Sequence, residues 1–64
     1  MDDKEILFLE KCIGKRIEIV QRDGFLKYGL CTGWSERSIF LEFDDGTPVS
    51  IDHSFIISRR ILGD

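Results

Sequence analysis

Apolar and polar positions change rhythm once along this chain. Ile6, Leu9 and Ile13 recur at spacings of three and four, with Phe8 and Cys12 beside them. That pattern predicts a helix over about 3–12 with one apolar stripe. Asp2 or Asp3 can cap its start, Lys11 suits its negative end, and Gly14 can end it. Beyond Gly14 the period drops to two. Ile17 and Ile19 alternate with Arg16 and Glu18, the mark of a strand with one wet face. Arg22-Asp23-Gly24 then predicts a tight turn, because glycine accepts positive φ without a Cβ clash. The returning run, FLKYGL, places Leu26, Tyr28 and Leu30 on one face and Lys27 on the other. Gly29 inside it marks a bulge, a bend or a close backbone approach.

The alternation continues to the end. The second strand runs on toward Gly33-Trp34. A third, over 38–43, turns Ile39, Leu41 and Phe43 inward and leaves apolar Phe40 on the outer face. Asp44-Asp45-Gly46 is a second hairpin turn. A fourth strand over 47–51 turns Val49 and Ile51 inward, and Pro48 suits an edge or a strand's first residue. Asp52-His53-Ser54 forms a brief turn, and a fifth strand over 55–62 carries Arg59 and Arg60. The prediction is a mostly β single domain over 1–64. A short helix precedes a five-stranded, strongly bent antiparallel meander over about 15–62, an SH3-like or Sm-like barrel.

Size sharpens this picture. A chain of 64 residues buries only about 60% of the surface it exposes when unfolded, so its own core is marginal. Cys12 and Cys31 stand in no paired spacing, and two free thiols in a reducing cytoplasm are expected rather than a disulfide. One histidine and no CxxC argue against a structural zinc, and no metal or other cofactor is expected. The net charge is −3, less basic than a duplex-binding module. No apolar run approaches the roughly 20 residues that span a bilayer, and the acidic start MDDKE lacks a secretory n-region. A soluble, cytoplasmic protein is expected, with no membrane partner and no small-molecule substrate.

Gly14-Lys15, the alternating Ile17 and Ile19, Asp23-Gly24 and Gly29 five positions later resemble the first motif of the Sm and Sm-like family. Asp52-His53-Ser54-Phe55-Ile56 sits where that family has its short turn between the fourth and fifth strands. The resemblance implies a barrel after an N-terminal helix, RNA binding or ribonucleoprotein assembly, and rings closed by pairing the fourth and fifth strands of neighbouring subunits. The chain departs from the family at its base-binding positions. Trp34 holds the aromatic position, Ser35 stands in place of an aspartate, and Ser38 or Ile39 in place of an asparagine. Asp52-His53 replaces the arginine-glycine pair of the second motif.

Several side chains are candidates for contact. Trp34 can stack on a base or cap the core. His53 can touch nucleic acid or make turn hydrogen bonds. Arg37, Arg59 and Arg60, with Lys15, Arg16 and Lys27, can contact phosphates or stand as solvated charge. Phe40 and one of Ile56 and Ile57 fall on the wet face, where a neighbouring copy in a homo-oligomeric ring or dimer would cover them. The pairings that base and nucleophile catalysis need are missing, so no enzyme is expected. The two readings are an RNA-binding or assembling Sm-like module and an SH3-like protein–protein interaction domain.

Overall fold

A computed structural model describes residues 1–63. Helix α1 spans Asp3–Cys12. Its N-cap is Asp2, whose carboxylate accepts a hydrogen bond from the Glu5 amide at 2.8 Å, one of the four donors that a helix start leaves open. Five strands follow: β1 Arg16–Gln21, β2 Leu26–Trp34, β3 Ser38–Glu42, β4 Pro48–Asp52 and β5 Ile56–Gly63. The two Asp-Gly turns form as expected. Gly24 and Gly46 take φ of 88° and 87°, and the amides of Phe25 and Thr47 donate to the Asp23 and Asp45 carboxylates at 2.9 Å. The Thr47 hydroxyl and then its amide hold the exposed Asp45 carboxyl below its ordinary pKa.

The strands make one antiparallel sheet in the order β4-β3-β2-β1-β5. The first four form the expected meander. The fifth does not continue it, because β5 pairs with β1 at the far edge. The sheet is therefore open where a barrel would join β4 to β5. It must still curl. Only His53–Phe55, a single 3₁₀ turn, separates the two edge strands. The four Cα steps from Asp52 to Ile56 reach at most about 14 Å, whereas the outer strands of a flat five-stranded sheet lie about 19 Å apart.

Gly29 lies where the backbones crowd. A Cβ built on it would stand 2.9 Å from the Glu42 carbonyl oxygen, so the close approach expected from the sequence is observed. The register of β2 against β3 shifts just beyond, between Cys31 and Gly33, as a strand does where it bends.

The core lies between α1 and one face of the sheet. Leu9 and Cys12 from the helix join Ile17, Ile19, Cys31, Ile39, Leu41 and Ile51. Phe8, Trp34, Val49, Ile56 and Ile61 pack around them, partly buried. Cys12 and Cys31 are free thiols. Burial, with Cys31 nearby, pushes the Cys12 thiol up to about 11, and burial raises Cys31 too. The stripe Leu26, Tyr28 and Leu30 shares one face as expected, but it is the exposed face. Gly29 and Cys31 occupy the buried face of β2 instead. Gln21, at the end of β1, is buried although polar. No helix among the described residues is long and apolar enough to cross a membrane.

Candidate nucleic-acid interface

The chain links β4 to β5 through residues that position His53. Asp52 caps the 3₁₀ turn, its carboxylate accepting from the amide and hydroxyl of Ser54 at 2.9 and 2.8 Å. Those bonds, with Arg37 and His53 as smaller influences, hold the Asp52 carboxyl below its ordinary pKa. The His53 amide donates to the Arg37 carbonyl at 2.9 Å. The turn is thereby tied to the loop between β2 and β3. The His53 ring closes a second link, with Nε2 2.8 Å from the Ser35 carbonyl oxygen. A carbonyl can only accept, so Nε2 carries the hydrogen and Nδ1 is left as a lone pair. Arg59 donates toward that lone pair from Nη1 at 3.4 Å. The Arg59 guanidinium also lies 5.7 Å from the centre of the Phe8 ring.

Three elements therefore converge on Arg59: β5 carries it, α1 backs it with an aromatic face, and the β4–β5 turn presents an uncharged acceptor. In the β-ladder Arg59 sits opposite Ile19, which has Lys27 on its other side. Both cations lie on the face that the helix covers, and both carry their charge away from the apolar centre, as long basic side chains do. The Lys27 ammonium reaches 5.9 Å from the Phe43 ring centre. Arg59 also acts at Cys12, where its charge opposes the larger effect of burial.

The five residues expected to touch RNA do not form one surface. His53 and Arg59 are in contact. Trp34 pairs in register with Ile39 and packs against the core, so part of its ring is buried. Arg37 is exposed and joins the cluster through its backbone. Arg60 faces the other side of the sheet, where Nη2 lies 3.4 Å from the Glu18 carboxylate; adjacent strand residues point oppositely. Of the expected contact residues for a neighbouring copy, Phe40 is exposed. Ile56 packs against the core. Ile57 is the exposed member of its pair, at 62%. The register shifts there, with Val20 opposite Ser58 and Gln21 opposite Ile56, leaving Ile57 as the extra residue of a bulge.

Phe8 was legible only as a member of the helix stripe. Its partnership with Arg59 spans 51 residues of chain and has no local signal. Among the described residues no enclosed pocket forms, and no group of three or more His, Cys, Asp or Glu could hold a metal ion. No protein-family model matches the chain. No curated protein and no solved structure matches it either.

Proposed function

We propose that the chain is a non-enzymatic Sm-like module of the cytoplasm that binds RNA and assembles with copies of itself. The observation that carries this reading is the open sheet. Its two edge strands, β4 and β5, follow one another in sequence yet stand at opposite ends of the strand order. Unpaired edge amides and carbonyls are templates for another strand. Pairing β4 of one copy with β5 of the next would complete a barrel and leave no edge once the ring closes. Exposed Ile57 on β5 would gain cover in that pairing, at about 25 cal/mol per Å² of apolar surface. Pro48 opens β4, so its missing donor falls at the strand's end rather than its middle. The RNA-binding part of the reading rests on Trp34, Arg37, His53 and Arg59, with a partly exposed aromatic for stacking and arginines for phosphates.

Light scattering at micromolar protein tests the assembly. A native mass above one subunit is expected, and Ile57→Lys should lower it. A native mass of one subunit would end the ring reading, and an oligomer indifferent to the lysine would mean that the edge is wrong. Electrophoretic retardation of oligouridylate tests the RNA reading, with binding that weakens as salt rises.

A second reading has its own observation. Leu26, Tyr28 and Leu30 form an exposed apolar row on the outer face, and the net charge of −3 is unfavourable for a polyanion. An SH3-like protein–protein interaction domain would use such a face. Absence of oligouridylate binding at low salt would favour it.

A further inference from the structure

We propose that Arg59, which contacts both the Phe8 ring and the His53 imidazole, is a seat for a phosphate oxyanion. The proposal rests on the RNA-binding reading as far as the source of that phosphate is concerned.

Among the described residues, two of the other four arginines meet carboxylates. Arg16 meets Asp44 at 2.8 Å and Arg60 meets Glu18 at 3.4 Å. Arg22 donates from Nε to the Ser54 carbonyl at 2.6 Å. Arg59 is half-buried, yet it has no carboxylate partner among the described residues. Burying part of a permanent cation without a counter-charge is unfavourable. The two groups that hold it, a ring face and a neutral lone pair, orient the guanidinium without cancelling its charge. A guanidinium has five N–H donors in one plane. The contact to His53 uses one of them, and that contact is long. The remaining donors form the planar fork that takes two oxygens of a phosphate at once.

His53, which presents the acceptor, is held at two points. The His53 ring is fixed by its bond to the Ser35 carbonyl and its backbone by the Arg37 carbonyl. A pre-set donor loses less freedom on binding than a waving surface arginine. Ser35, whose carbonyl fixes the His53 ring, joins this cluster from the β2–β3 loop. On the RNA-binding reading, the phosphate of a nucleotide is the oxyanion that the fork would take.

The test uses the full chain labelled with ¹⁵N and ¹³C, titrated with inorganic phosphate while the Arg59 guanidinium, His53 ring and Phe8 ring resonances are followed. Saturable shifts at those three groups are expected, lost in Arg59→Gln and kept in Arg60→Gln. Arg59→Lys preserves the charge without the fork and should weaken the response several-fold, which covers the case where the glutamine variant does not fold. Oligouridylate in place of phosphate should move the same resonances, with affinity about tenfold lower in Arg59→Gln and within about twofold of native in Arg60→Gln. Phosphate shifts spread over exposed lysines and arginines, with none at Arg59, would overturn the seat even if RNA binds elsewhere. Phosphate at Arg59 with no response to oligouridylate would keep the seat, identify free phosphate as its source, and remove the RNA reading.

Discussion

On the helix-covered face of the sheet, Ile17, Ile19, Cys31 and Ile39 have no exposed surface at all. On the opposite face of β2, Leu26, Tyr28 and Leu30 are 48%, 50% and 37% exposed. Each strand alternates in sequence, and on β2 the exposed side chains are bulkier than the buried Gly29 and Cys31. The difference is what lies above each. Helix α1 sets Leu9 and Cys12 onto the first face, while nothing among the described residues covers the second. Alternation sorts side chains into two faces, but packing against another element decides which face is the interior. The crowding at Gly29 fits this. With no side chain there, β3 comes close to β2 on the buried side, and the space that remains takes a small Cys31 rather than a leucine.

Substitutions in the buried row should have the largest effect. Leu41 is 1% exposed and pairs with Cys31 on one side and Val49 on the other. Leu41→Ala should destabilise by about 2–5 kcal/mol, the cost of lost burial plus a cavity. A urea midpoint within error of native would mean that this face is not the core. Next comes Gly29→Val. Its Cβ meets backbone rather than a flexible side chain, so the strands must part, at a cost of about 1–3 kcal/mol. An unchanged midpoint would remove the close-approach argument.

Gln21 sharpens the comparison from the other direction. It lies on the buried face at 7% exposure, and its Oε1 has no hydrogen-bond partner among the described residues. An orphaned buried acceptor costs roughly 1–3 kcal/mol. Gln21→Met keeps the length and removes the acceptor, so a gain of about 1 kcal/mol is expected in denaturant unfolding. A loss of that size would show that the amide oxygen is satisfied in solution.

Much of this fold was legible because its signals are local. The helix stripe with its aspartate cap, the two Asp-Gly turns and the period-two runs each depend on a few adjacent residues. What escaped depends on distant ones. A plain meander would put β5 beside β4, whereas the resemblance implied that both would be free to pair with neighbours, and they are the two edge strands. The pairing of β5 with β1 has no signal near the turn. Ile56 and Ile57 could not be separated by alternation, because the bulge that turns Ile57 outward belongs to the register with β1. The candidate site divides the same way. His53 and Arg59 were named from residue type, and the structure brings them together. Arg60, named with them, lies on the other face beside Glu18. Phe8 meets Arg59 only through the packing of α1 over the sheet, a contact with no local signal.

The smallest effect is expected on the exposed row, and it is the most discriminating. Tyr28 is half-exposed and lies beside Glu18 on β1, with Arg60 on β5 beyond. Those two are already joined to each other at 3.4 Å, so neither depends on the tyrosine ring. In a lone copy, Tyr28→Ser should change stability by no more than about 0.5 kcal/mol, the usual range for a surface substitution away from caps and strained backbone. The measurement is denaturant unfolding at two protein concentrations about a hundredfold apart. If a second copy covers this face, native stability rises with concentration, because association favours the folded state by mass action. The serine would then cost clearly more at the high concentration than at the low. Equal, small losses at both would leave the outer row uncovered by its own kind, and would leave edge pairing through β4 and β5 as the route to any oligomer.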